Sequence, residues 1–558
     1  MTDDRNIPDL AQRSRALDAA QSFIVQAPAG SGKTELLIQR YLRLLACVDH
    51  PEEIVAVTFT RKAAGEMRER VLQAMNAARA GDAPESAHEK LTLELAGAAL
   101  ARDAAADWHI ADNPARLRIQ TIDSLCASLT RQMPMLSRFG SQPESMEDAD
   151  ELYLEAARAT VGAIENDDAI AQDMERLLTH LDNDVARIEE LLADMLRRRD
   201  HWLRLVSGRE RAELEAALGN ARRAALQQVC MLFPASARDE TLELARYAAA
   251  NLAAVEGDSY IIDLKDILEF PGYAEADAKR WQGLAELLLI KDGAWRKSLD
   301  KRQGFPTGTS KVEKENARQW KQRMAQLLDD FSANDSLRFA LDDLRRLPPP
   351  AYADSQWEVL GAIMRLLPRA VAQLKLAFQS RGQVDFVEVA QGALRALGDA
   401  DAPTDLALAL DYRIRHLLID EFQDTSISQY ELVARLTAGW EVGDGRSVFA
   451  VGDPMQSIYR FREAEVGLFL RARAAGIGSI ELQPIALSAN FRSQAGIVDW
   501  VNATFAQVMP AREDVAAGAV PYTASAATRA ALAGPAVSVH AFFDNDHAAE
   551  AQQVADIV

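Results

Sequence analysis

Cysteine is scarce in this chain: Cys47, Cys126 and Cys230 are the only three in 558 residues, far apart and never in a CxxC pair. That spacing excludes a disulfide framework, a zinc ribbon and an iron–sulfur cluster, and it suits a reducing compartment, so the cytoplasm is expected. The eight histidines show no HxxxH or other metal-ligand spacing. Long apolar runs are missing as well. The start, Met1-Thr2-Asp3-Asp4, is acidic and polar, with no leader pattern and no span suited to a membrane. Basic charge is in deficit, with 62 Lys and Arg against 83 Asp and Glu and a net charge of −21. This excludes a surface coated in positive charge, but not a local basic groove, because phosphate contacts act within a Debye length of ~8–10 Å. The hydrophobic share of 48% and charged share of 26% are those of an ordinary globular protein, and the length suits about three to four domain-sized units.

Two stretches far apart in the chain carry its chemistry. The first is Ala27-Pro28-Ala29-Gly30-Ser31-Gly32-Lys33-Thr34, preceded by the apolar run Ser22-Phe23-Ile24-Val25 and followed by a helical pattern from Glu35. Strand, glycine loop and helix in that order make a phosphate-binding loop. Its glycines let backbone N–H groups close round an anion, and the helix start adds its positive end. Lys33 supplies a cation for the β- and γ-phosphates, and the Thr34 hydroxyl is a ligand for Mg²⁺. Ala27 stands where the strict pattern has its first glycine.

The second stretch is Leu417-Leu418-Ile419-Asp420-Glu421-Phe422-Gln423-Asp424. Carboxylates that close an apolar strand lie where ligands gather in open α/β sheets. Asp420 fits the carboxylate that Mg²⁺ needs, and Glu421 fits the base that takes a proton from the attacking water. The competing reading is an acidic strand-end turn. A further strand, Ser447-Val448-Phe449-Ala450-Val451, ends in a polar loop whose Gln456 is placed to touch a terminal phosphate or the attacking water. Alone, that loop reads equally well as a turn with aromatic packing.

Taken in order, the chain predicts an α/β fold with a mainly parallel, doubly wound sheet. A helical lead-in spans 9–20, strands are expected at 22–25, 53–60 and 116–121, and helices follow the first two from Glu35 to about Ala46 and from near Arg61. Residues 78–114 are Ala-rich and helical or irregular, and a helix begins at 122. From about 136 to 400 apolar residues recur at three- and four-residue spacing, a long helical insert broken at 304–309 and at 348–350. Arginines, lysines, Trp202, Trp295 and Trp320 mix within it, either as solvated faces over core tryptophans or as a DNA-facing strip. The α/β pattern resumes at 416, and a last strand is expected over 536–542. The sequence stops inside a helical pattern at Val558, which reads as a truncation point.

These stretches together resemble the UvrD/Rep-type superfamily-one DNA helicases. The phosphate loop, TFTRKAAGEMRERV (58–71), LLIDEFQDTS (417–426), VGDPMQSIYRFRE (451–463) and LSANFRS (487–493) fall in that family's order. RGQVDFVEVAQGAL (381–394), KDGAWRKSLDKRQGFP (291–306) and the long insert are similar to the helicase component of AddAB- or RecBCD-type helicase–nucleases. The resemblance implies a RecA-like motor domain flanked by helices in two parts (1–135, with a helical excursion at 78–114, and 401–484). It also implies a helical insert over 136–400 and the truncated start of a second RecA-like motor domain over 485–558. The implied activity is an ATP- and Mg²⁺-dependent helicase or translocase that moves 3′→5′ on single-stranded DNA in recombinational repair. The implied partners are single-stranded or duplex-end DNA and an AddB-like nuclease subunit, with no membrane.

Carried over by position, the resemblance makes Gln12 an adenine reader, Arg68 and Gln456 γ-phosphate contacts, Phe491 an adenine-stacking ring and Arg492 an arginine acting on the γ-phosphate. Phe59, Thr60, Arg61, Thr121 and Asp123 become DNA contacts, and Tyr459, Phe461 and Arg462 grip or stack on bases, which suits sequence-tolerant binding. Gln12 also reads as a surface residue, and Phe59 and Phe461 as core packing. Three positions depart from the family: Phe461 replaces a tryptophan, Arg61 an asparagine and Asp123 a histidine. The later motifs of a second motor domain are missing, so the 558 residues are expected to be the N-terminal part of a longer enzyme. Competing classes are a non-catalytic nucleotide- or DNA-binding scaffold and an RNA-directed or other P-loop NTPase.

Overall fold

The computed structural model describes residues 7–557, except 85, 134, 136–142, 147, 166–167, 207–209, 255–258, 309, 333, 400–401, 458–464, 511–512, 514, 516–517 and 543–546. The chain forms two compact units: residues 1–159, 190–201 and 370–558 make the first, and residues 160–189 and 202–369 the second. The helical stretch expected over 136–400 is therefore shared between them.

The first unit is α/β. Short apolar runs form β1 (Phe23–Gln26), β2 (Ile54–Thr58) and β3 (Arg118–Thr121). They are joined by strands β6 (His416–Ile419), β7 (Ser447–Gly452) and β8 (Gln483–Ala486), in the order β8-β1-β7-β6-β2-β3, every neighbouring pair parallel. The two short strands between, β4 (Glu144–Met146) and β5 (Gln383–Asp385), pair with each other. All residues of β1, β2, β6 and β7 are buried, as expected of a parallel sheet covered on both faces. The helices are α1 (Leu10–Ala16), α2 (Lys33–Leu45), α3 (Arg61–Ala80), α4 (Ala87–Ala105) and α5 (Ile122–Gln132). Leu36, Leu37, Tyr41 and Leu44 of α2 pack with Phe23, Val25, Ile54 and Ala56 of the sheet into one core.

Register places the site. Because β2 and β3 pair with Thr58 opposite Thr121, the loops after the two strands emerge side by side. Pairing of β1 with β7 (Gln26 opposite Gly452) does the same for the phosphate loop and the loop after β7. Helix Phe386–Leu397 packs on α5 and on helix Ile427–Leu436. Its N-terminus is capped by Asp385, whose carboxylate also takes two 2.6 Å bonds from buried Arg199.

One strand assignment needs correction. Residues 536–542 are not a strand: Val539 is 87% exposed and the segment has no ladder. The chain instead forms β8 and a two-stranded parallel pair, β9 (Ala489–Gln494) with β10 (Ala526–Arg529). Alternation of apolar residues at 536–542 supplied a pattern without a pairing partner, which is half of what a strand requires.

The second unit is helical and has its own core, built on Phe233, Trp281, Phe305, Phe331 and leucines from several helices. Trp320 stacks on Tyr247 at 4.3 Å with planes 7° apart, while Arg323 pairs with Glu240 and Glu243. Trp202, Trp295 and Trp320 are thus packing residues here. Among the described residues no helix is long and apolar enough to cross a membrane.

Candidate nucleotide and nucleic-acid site

The loop after β1 needs two residues with left-handed backbone, and Gly30 (φ 78°) and Gly32 (φ 75°) supply them. At Gly30 a Cβ would also lie 2.8 Å from the Cβ of Arg492, so the close approach of that segment requires glycine. The Ala27 amide donates to the Gly452 carbonyl at 2.9 Å, tying the loop to the end of β7. Gly32 then caps α2, which aims the first turn, with Lys33 and Thr34, at the space above the sheet. Ser31 Oγ is buried with no hydrogen-bond partner.

Lys33 and Glu421, nearly four hundred residues apart, meet: Lys33 Nζ lies 2.5 Å from Glu421 Oε2. Glu421 has φ 52°, an uncommon backbone for a side chain with a Cβ, placed directly at the end of β6. Asp420 precedes it, its amide held by the Val57 carbonyl at 2.9 Å. Burial pushes the Asp420 carboxyl up to about 6; Lys33 pulls it back and Glu421 pushes it further.

Gln423 links this carboxylate pair to the next loop. Its Nε2 donates to Glu421 Oε2 at 2.8 Å and to Asp424 Oδ2 at 3.0 Å, and its Oε1 accepts from the Asp453 amide at 2.9 Å. A Cβ on Gly452 would collide with that Oε1 and crowd the Phe422 and Gln423 amides, so a side chain at the end of β7 would displace the Gln423 bridge. Burial raises Asp424 to about 6 and raises Asp453 as well. Asp424 Oδ1 accepts from Ser457 Oγ at 2.9 Å, and Asp453 Oδ2 accepts from Gln456 Nε2. Gln456 is therefore brought into this cluster through Asp453.

Asp420, Glu421, Asp424 and Asp453 concentrate negative charge beside Lys33. A donor set of the half-buried Asp420 carboxylate plus the Thr34 hydroxyl suits a hard divalent cation such as Mg²⁺. The orphaned Ser31 Oγ and the glycine cradle suit an anion with several oxygens. The residues present fit a magnesium-bound nucleotide.

On the other side of the loop, strand β9 comes down on it. The Phe491 amide donates to the Gly30 carbonyl at 2.8 Å, and Asn490 Nδ2 to the Ala29 carbonyl at 3.1 Å. Pro28 lies within the same loop, so residues 27–34 sit between β9, β7 and the Asp420–Glu421 turn. Phe491 and Arg492 are brought to it.

Other expected residues lie elsewhere. Gln12 is exposed on α1, while its neighbour Arg13 is the residue that reaches the loop. Arg68, on α3, donates to the Ile119 carbonyl of β3 rather than to the phosphate loop, and its Nε is buried without a partner. Thr60 caps α3 by accepting from the Ala63 amide at 3.1 Å; with exposed Arg61 and half-buried Phe59 it forms the loop after β2. Thr121 is 6% exposed and its hydroxyl caps α5 by accepting from the Ser124 amide, so its side chain is committed to the fold. Asp123, beside it, accepts from Gln429 Nε2 at 3.4 Å. Tyr459, Phe461 and Arg462 lie outside the described residues. Arg13, Gln423, Asp424, Asp453 and Asn490 were not singled out from sequence. Four of them sit inside the motifs quoted above and Arg13 stands directly beside Gln12, which is the signal that finds them.

Against known proteins, a family profile described as the UvrD/REP helicase N-terminal domain matches residues 9–475. Among curated proteins, the chain is 27% identical over 521 residues to an ATP-dependent helicase/nuclease subunit of Lysinibacillus sphaericus, covering 88% of this chain and 39% of that protein. It is 29% identical to the protein of the same name from Pelotomaculum thermopropionicum (91% and 39%) and 29% identical to that of Moorella thermoacetica (96% and 37%). The chain thus spans about two fifths of the length of these relatives.

Proposed function

This chain belongs to the UvrD/REP helicase N-terminal domain family, and from that premise we propose that it is the ATP-hydrolysing motor part of a DNA helicase acting in recombinational repair. The observation that carries the proposal is the contact of Lys33 with Glu421 beside half-buried Asp420. A phosphate-loop lysine, a metal-binding carboxylate and a base converge there from two distant motifs.

Thr34 and Asp420 would hold Mg²⁺, which when bound neutralises charge on the β- and γ-phosphate oxygens. Lys33 exchanges Glu421 for phosphate oxygens, and this frees Glu421 to accept a proton from water. Backbone N–H groups of 30–34 bind the phosphates, Gln456 orients the water through its place beside Asp453, and Arg492 offsets charge that develops on the transferred group. Phe59, Thr60 and Arg61 in the loop after β2, and Thr121 and Asp123 beside it, would contact one DNA strand, as would Tyr459, Phe461 and Arg462.

The proposal extends to 3′→5′ travel on single-stranded DNA in the cytoplasm. It also takes residues 1–135 and 401–484 as the first motor domain, 136–400 as its insert and 485–558 as the start of the second. The relatives are named as one subunit of a helicase/nuclease, which supports an AddB-like protein as partner. The test is ATP turnover of the complete protein with and without single-stranded DNA. Lys33→Ala is expected to lower DNA-stimulated turnover by about 10³-fold or more, and Glu421→Gln to lower it comparably while ATP still binds. Turnover that survives Lys33→Ala overturns the proposal.

A further inference from the structure

Asp9 and Arg13 form a bracket outside every motif assigned above. Asp9 is 2% exposed. It accepts from Arg13 Nε at 2.7 Å and Arg13 Nη2 at 3.1 Å, and from the backbone amides of Ser488 and Ala489 at 2.8 and 2.9 Å. Arg13 Nη2 also donates to the Ser31 carbonyl of the phosphate loop at 2.6 Å, and its guanidinium lies over the Phe491 ring, 5.1 Å from the centroid. One ion pair therefore holds three things in register: the amides that lead into β9, a carbonyl inside the phosphate loop, and one face of Phe491. Gln12, its neighbour, is turned to solvent.

We propose that Arg13, oriented by Asp9, is the positioning residue that seats Phe491 for stacking on the nucleotide base, and so sets the preference for a purine over a pyrimidine nucleoside triphosphate. The inference rests on the reading of this site as an ATP site. A ring pinned on one face by a cation presents its other face as a fixed platform, and a larger base gains more from such a platform than a smaller one. Arg13 is suited to the task because its planar fork spans a carboxylate, a carbonyl and a ring at once. A lysine, a single point charge, does not.

The experiment measures dissociation constants for ATP and CTP, each with Mg²⁺, by titration calorimetry on this chain. The expected result for Arg13→Met is ATP weakened about tenfold and CTP by less than about threefold, so that base selectivity narrows; a cation–π contact plus one hydrogen bond is of that size. Arg13→Lys is expected to behave like Arg13→Met although it keeps the charge, and it decides the matter should the methionine variant fail to fold. Phe491→Leu should weaken ATP comparably, and the double variant Arg13→Met/Phe491→Leu should bind no worse than the weaker single variant, because Arg13 acts through the ring. Unchanged selectivity in Arg13→Lys, or additive losses in the double variant, overturns the inference. Loss of all nucleotide binding by the wild-type chain would instead strike the ATP-site reading itself.

Discussion

The two compact units use charge in opposite ways. In the helical unit, ion pairs are mostly local: Arg176–Asp173, Arg280–Asp277, Arg338–Asp335 and Arg346–Asp342 join residues one helical turn apart. Such pairs are worth little each, and the unit is held instead by its aromatic and leucine core. In the α/β unit, the decisive polar contacts cross the chain: Lys33–Glu421, Asp9–Ser488, Gln423–Asp453 and Phe491–Gly30. The carboxyls of half-buried Asp420 and of buried Asp424 and Asp453 beside them have raised pKa values, an arrangement that costs stability and is expected where chemistry is done. The difference lies in what the long-range polar contacts join: in the helical unit Arg222–Glu275 and Arg323–Glu240 tie helix to helix, whereas in the α/β unit they gather round one loop cluster.

The sharpest way to break the comparison is a core lesion in the helical unit. Trp281 is fully buried against Phe233 and Phe270, and its indole N–H donates to the Gly272 carbonyl at 2.7 Å. Trp281→Ala should destabilise that unit by about 3–5 kcal/mol in denaturant unfolding, while ATP affinity stays within about twofold. A parallel collapse of ATP binding would mean that the units are not separable in this sense.

A smaller effect is expected in the α/β unit as pH falls. His416, buried in β6, shares a 2.9 Å hydrogen bond with Ser447 Oγ, and burial, aided by Arg40 and Arg415, depresses its pKa to about 3. The unfolded chain takes up a proton near pH 6.5, whereas the folded chain does not until about 3. The neutral histidine's contribution is therefore complete above pH 6.5 and is lost progressively below it, at up to about 1.4 kcal/mol per pH unit. His416→Asn should flatten the decline of unfolding free energy between pH 6.5 and 4; an unchanged slope would contradict this.

How much was legible in the sequence follows from the same contrast. Strands β1, β2, β6 and β7 were readable because a buried parallel strand is a plain apolar run, and the phosphate loop because its glycines and lysine are local in sequence. Strands β8 and β9 were not, since Gln483, Pro484, Asn490 and Arg492 carry no strand pattern; pairing partners and the phosphate loop hold them in place. Asp420 and Glu421 were readable as strand-end carboxylates. Gln423, Asp9 and Arg13 were not, because each acts on a backbone group or side chain that only the fold brings near. For Arg68 and Thr121 the fold adds contacts that the motifs did not reveal: Arg68 donates to the Ile119 carbonyl of β3, and Thr121 caps α5.

The central claim, that Lys33 and Asp420 act on one magnesium-bound triphosphate, is tested most directly by the Mg²⁺ dependence of ATP affinity in Asp420→Asn. The wild-type chain should gain about tenfold in affinity, about 1.4 kcal/mol, when Mg²⁺ is added, and Asp420→Asn should lose most of that gain while still binding metal-free ATP. An undiminished Mg²⁺ gain in Asp420→Asn would contradict it.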